Sequence, residues 1–71
     1  ELRNGLVVRA ADAVIAVGGA YGTLSEIALA LAAGTFVVGV DSWPIDGVEA
    51  VDSPRAAVAR ALEMAAARAR T

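Results

Sequence analysis

Cysteine, histidine and lysine are all missing from this chain of 71 residues. Without cysteine there is no disulfide framework, and without cysteine or histidine the usual zinc ligands are gone. The lack of lysine leaves six arginines, spread from Arg3 to Arg70, against eight acidic residues, for a net charge of -2. No basic stripe of the kind that tracks a nucleic-acid backbone can be drawn through them. Long apolar runs are missing as well. Although 58% of the residues are apolar, Gly, Ser or Asp breaks every run short of the roughly 20 residues that a membrane-spanning helix needs. No signal-peptide layout is visible either. These absences lead to the expectation of a cytoplasmic protein without membrane segment, nucleic-acid partner, metal or bound cofactor.

About 70 residues make one small domain at most, and such chains are marginal without a disulfide, a metal or a partner. Leu2, Leu6 and Ala10 recur at helical spacing from the outset. Glu1 to about Ala11 therefore reads as the end of a helix, and residues 1–71 as the C-terminal portion of a single domain. Downstream the pattern predicts a strand from Ala13 to Val17, a glycine loop from Gly18 to Gly22, a helix from about Leu24 to Ala33, a strand from Thr35 to Val40, a loop from Asp41 to Asp52 and a helix from Pro54 to Arg70. Thr23 is a suitable N-cap, Gly34 suits a left-handed C-terminal position, and Ser53-Pro54 is a cap followed by a first-turn proline. AVIAV and TFVVGV are apolar almost throughout, as in strands covered on both faces. The fold class expected is α/β, the C-terminal part of a Rossmann-like doubly wound parallel sheet in the order helix-strand-helix-strand-helix.

In the middle helix Leu24, Ile27 and Leu31 mark one apolar face and Leu29 with Ala33 another. A helix apolar all round is buried on more than one side; with the sheet on one side, a second subunit is expected on the other, and hence a homo-oligomer. In the last helix Val58, Ala61, Leu62, Ala65 and Ala69 are expected to face inward.

Ligands of open parallel sheets sit beyond the carboxyl ends of the strands, where Gly18, Gly19, Ala20, Tyr21, Gly22 and Thr23 lie. Glycine lets backbone N–H groups come close to a ligand, and the following helix aims its unpaired N–H groups and positive dipole end at the same place. That arrangement suits a phosphate or another anion. Thr23-Leu24-Ser25-Glu26 is also a T-x-x-E capping box, so Glu26 can be a helix-start device or a ligand-facing carboxylate. A dinucleotide site of the NAD type is an alternative: Gly19 and Gly22 occupy the last two glycines of G-x-G-x-x-G, with Val17 at the first, and Asp41 stands where a ribose-binding acid is wanted.

The run RNGLVVRAADAVIAVGGAYGTLSEIALAL resembles the LOG (Lonely Guy) family and its wider SLOG superfamily, proteins long labelled as lysine decarboxylases. Against that family's Arg-Lys pair and PGGxGTxxE loop, Arg3 falls on the arginine and Asn4 replaces the lysine. Gly18 stands for the proline, Ala20 for the second glycine, and Gly19, Gly22, Thr23 and Glu26 match. The GGAYGTLSE loop, Trp43, Asp46-Gly47 and Asp52-Ser53-Pro54 are similar to the bacterial branch related to molybdenum-cofactor carriers. The resemblance implies a nucleotide or other phosphate-bearing small molecule as ligand. It further implies Arg3 and Glu26 as catalytic residues of a phosphoribohydrolase that cleaves the N-glycosidic bond of nucleoside 5'-monophosphates, or else a non-catalytic carrier of a pterin phosphate.

Overall fold

The computed structural model describes residues 5–10 and 12–69. The elements are β1 (Leu6–Ala10), β2 (Ala13–Val17), α1 (Tyr21–Ala32), β3 (Phe36–Val40), β4 (Val48–Val51) and α2 (Pro54–Ala69). The four strands form one mixed sheet in the order β1-β2-β3-β4. β1 runs antiparallel to β2, with Leu6 opposite Val17, while β2–β3 and β3–β4 are parallel.

Alternation along the strands sends the two helices to opposite faces. Val14, Ala16 and Val37 meet Ile27 and Ala30 of α1, whereas Ala13, Ile15, Val38 and Val40 meet Ala57 and Ala61 of α2. Both cores draw on the same two strands, which explains why those strands are apolar at successive positions. Ile27, Val14, Val37 and Val38 are the largest side chains wholly removed from solvent, each worth about 1.5–3 kcal/mol of transfer free energy.

Three local devices appear where the sequence placed them. Gly34 has a φ of 76°. Its N–H donates to the Leu31 carbonyl at 3.0 Å while the Thr35 N–H donates to that of Ala30 at 2.9 Å, the paired bonds of a Schellman ending. Ser53 caps α2 through Oγ, which accepts the Ala56 N–H at 3.1 Å, and Pro54 opens the helix.

Other expectations are corrected. The N-terminal helix gives way to strand over residues 6–10; residues 1–4 and 11 of that segment, Arg3 among them, lie outside the described residues. Leu6, Val7 and Val8 suit a pleated surface, and pairing along β2 satisfies their backbone where an isolated helical turn would not. The antiparallel β1 makes the sheet mixed instead of wholly parallel. β4 lies within the expected loop 41–52. It is only VEAV, half-buried at the edge, too short to carry a periodic signal.

Residues 41–47 return the chain from the end of β3 to the start of β4 without a helix. Seven extended residues reach at most about 25 Å, enough to run back along strands of about 17 Å. Trp43 and Ile45 of this crossover pack on the α1 core.

The inward face of α2 is also rotated from expectation. Ala57 and Ala61 are buried, whereas Val58 and Leu62 are 50% and 65% exposed. Alanine lets the helix backbone approach the sheet closely, a contact that leucine would hold apart. α2 is further tied to β4 by Arg60, whose Nε donates to Glu49 Oε2 at 2.6 Å and whose guanidinium lies 5.3 Å from the Phe36 ring centre. That hydrogen bond raises the arginine's pKa above its ordinary value.

Candidate functional site at the β2–α1 turn

The expected five-residue loop is shorter in the fold: Gly18, Gly19 and Ala20 alone join β2 to α1, and Tyr21, Gly22 and Thr23 form the first helical turn. Gly18 is buried with a φ of 87°. Its N–H donates to the Val40 carbonyl at 3.1 Å, binding the loop to the end of β3. Gly18 thus shapes the turn from within, a left-handed position that glycine enters without steric cost.

Gly19 and Gly22 are open to solvent. Beyond chain neighbours and the helix's own backbone, neither has an atom within 4 Å of where a Cβ would stand, so a ligand can approach the main chain at both. Ala20, with φ −66° and ψ 155°, is the N-cap and has no side-chain cap bond. The N–H groups of Tyr21, Gly22 and Thr23 have no intrahelical acceptor, as in any first turn, and nothing in the capping position competes for them.

Thr23 is therefore not the cap; the helix starts three residues earlier. Its side chain is only 3% exposed, and a Cβ on Gly5 would come within 2.0 Å of its Oγ1. Gly5, at φ 69°, is the residue that makes room for it. The Thr23 hydroxyl accordingly packs inside, toward the chain before β1, while its backbone N–H remains with the helix terminus.

Glu26 forms no capping box, having been displaced into the second turn by the earlier helix start. Its Oε1 accepts a hydrogen bond from Arg9 Nη2 at 2.6 Å, an ion pair between side chains that are 43% and 61% exposed. Arg9 is on the β1 face that α1 covers, by its register opposite Val14. Glu26 lies five positions after Tyr21, about 7.5 Å along the axis, and helical side chains lean toward the N-terminus. The carboxylate is thus within one side chain's reach of the first turn.

The crossover supplies the other wall. Trp43 Nε1 donates to the Ala20 carbonyl at 3.1 Å, so the tryptophan anchors the crossover to the glycine loop. Its ring stacks with that of Tyr21, centroids 5.9 Å apart and planes 22° from parallel, though Tyr21 is itself 83% exposed. Two cavities adjoin this segment. One, of about 130 Å³, lies between Gly19 and residues 41–44; the other, of about 230 Å³, lies between residues 41–44 and Gly39, Val48 and Ala50 of β3 and β4. Asp41, exposed and left-handed at φ 49°, starts the crossover.

Of the residues expected to bind or catalyse, Gly19 borders the smaller cavity, Ala20, Tyr21 and Gly22 follow it into the start of α1, Gly18 and Thr23 are buried, Glu26 lies in the second turn, and Arg3 is outside the described residues. Arg9, Ser42 and Gly39 were not foreseen. Strand parity points Arg9 toward α1 only once β1 is known to be a strand, and no local motif marks Ser42. Among the described residues no group of acidic side chains could hold a metal ion, and no helix is long and apolar enough to cross a membrane.

The chain is 44% identical over 57 residues to an uncharacterized protein of Archaeoglobus fulgidus, a match that covers 79% of this chain and 38% of that protein. It therefore spans well under half the length of this relative. No solved structure matches. The model of the SLOG cluster4 family matches residues 1–68, nearly the entire sequence. On that match the chain belongs to the SLOG cluster4 family.

Proposed function

We propose that this chain supplies the phosphate-holding wall of a nucleotide-like ligand site in a Rossmann-like domain. One observation carries the reading: Gly19 and Gly22 leave the main chain unobstructed at a helix terminus whose cap position offers no side-chain acceptor. Converging N–H groups and the positive end of the helix dipole then favour an anion there. Family membership adds the expectation of a nucleotide-related ligand.

The finer reading is hydrolysis of the N-glycosidic bond of a nucleoside 5'-monophosphate. That bond breaks through an oxocarbenium-like sugar, which a nearby carboxylate stabilises. Glu26 takes this role, and Arg3 the cationic partner. A specific observation favours the second reading, a binding protein without turnover: the Glu26 carboxylate is already engaged by Arg9. The ligand of that binding protein would be a pterin phosphate.

Calorimetric titration of the full-length chain with AMP tests the phosphate wall. A Cβ at Gly22 meets nothing beyond its chain neighbours and its own helix backbone and strains no left-handed backbone, so a valine there adds bulk on the open side of the first turn. Gly22→Val should abolish binding and leave the fold intact; unchanged affinity would refute the assignment. Release of adenine from AMP, lost in Glu26→Gln, would select the hydrolase. Retention of the ligand without release, equal in the variant, would select the binding protein.

The reading also includes a homo-oligomer joined through the outer face of α1, where Leu29 is 61% exposed.

A further inference from the structure

Ser42 has no part in the phosphate wall, yet its position is unusual. Its Oγ is shielded from solvent and has no hydrogen-bond partner among the described residues. A buried hydroxyl in that condition has given up water without replacement. Ser42 lines both cavities, the one that reaches Gly19 and the one floored by Gly39.

The floor is shaped to bring the serine in. A Cβ on Gly39 would stand 3.5 Å from Ser42 Cβ and 3.0 Å from Val48 Cγ1, so the missing side chain is what lets the crossover lie flat on β3. Asp41, held left-handed at φ 49°, turns the chain directly before Ser42. Asp tolerates that region better than most residues, by local hydrogen bonding. Serine has three staggered χ1 wells, so Oγ can change direction by rotation about one bond without moving the backbone. The larger cavity, about 230 Å³, is lined by Val48 and Trp43 together with Ser42 and Asp41. Apolar walls with a few placed polar groups are the common form of a small-ligand site.

We propose that Ser42 is a specificity-determining residue, its hydroxyl forming the hydrogen bond that selects the planar nitrogen heterocycle of the ligand whose phosphate lies on the glycine loop. This rests on the phosphate reading above and extends it to the ring. A purine nucleotide and a phosphorylated pterin share that chemistry.

The test compares the full-length chain with Ser42→Ala by calorimetric titration with AMP, a phosphorylated pterin and ribose 5-phosphate, which keeps the phosphate and lacks the ring. Ser42→Ala should weaken AMP or the pterin by about fivefold to tenfold, the worth of one neutral hydrogen bond, and leave ribose 5-phosphate unchanged. Whichever ring-bearing ligand loses affinity identifies the source. Equal affinity of wild type and variant for both ring-bearing ligands, with ribose 5-phosphate still bound, would overturn the role of Ser42 alone. If none of the three binds, or binding persists in Gly22→Val, the phosphate reading falls and this inference with it. Parallel loss of all three in a variant that still melts like wild type would also overturn it, since the serine would then serve the loop and not the ring.

Discussion

Gly39 and Gly34 have no side chain for different reasons, and substitution separates them. At Gly39 the obstacle is space: a new methyl meets Val48 Cγ1 at 3.0 Å. Gly39→Ala should cost about 1–2 kcal/mol as overpacking and narrow the larger cavity, to be read by denaturant unfolding of the full-length chain. At Gly34 space is open and the obstacle is a φ of 76°. Gly34→Ala should cost about 1 kcal/mol, and Gly34→Asn less, because asparagine visits the left-handed region more readily. Equal losses for Ala and Asn would show that the Schellman ending is not what this glycine provides. The Arg9–Glu26 pair belongs to the same scale. Both partners are substantially exposed, so a double-mutant cycle on stability should return under about 1 kcal/mol. A much larger effect of Glu26→Gln on ligand handling than on unfolding would then mark the carboxylate as functional.

Among the elements, α2 depends on a cap that can be removed without touching the core. Ser53→Ala deletes the acceptor of the Ala56 N–H and should lower stability by about 1 kcal/mol. Hydrogen exchange should speed up at the first turn of α2 and not in α1. The start of α1 behaves differently: no side-chain cap exists there, and among the described residues its connections hold the helix terminus. These are the Gly18 bond to Val40 and the Trp43 bond to Ala20. A terminus without a side-chain cap is a place where bound anion and helix stability are linked, so phosphate-bearing ligands should protect the α1 amides from exchange.

For the whole molecule, the apolar side chains left in solvent matter as much as those buried. Leu6 and Val8 emerge on the α2 side of β1, Val58 and Leu62 on α2, and Leu29 on α1. If α1 forms the subunit contact, Leu29→Arg should shift the full-length chain toward monomer in sedimentation without loss of core. About tenfold weaker association is expected from one large apolar side chain. Unchanged oligomer size would exclude the α1 face.

The course from β2 through the glycine turn and α1 to β3 was legible because each step has a local cause. Apolar runs with β-branched residues make buried strands, Gly34 stops a helix, and Ser53-Pro54 starts one. The glycines and helix start of the proposed phosphate wall were legible for the same reason, since they are neighbours in the chain. The first turn of α1 was misplaced because Thr23 looks like a cap locally, while its burial against Gly5 depends on a distant segment.

Sequence by itself determined the central strand-turn-helix-strand unit with its glycine turn, because backbone preference and capping act over a few residues. Tertiary structure alone decided that residues 6–10 and 48–51 are strands, that alanines rather than leucine face the sheet from α2, that Arg9 meets Glu26, and that Ser42 sits orphaned beside a cavity. Each of these depends on register and close approach between segments far apart in the chain, which no local pattern encodes.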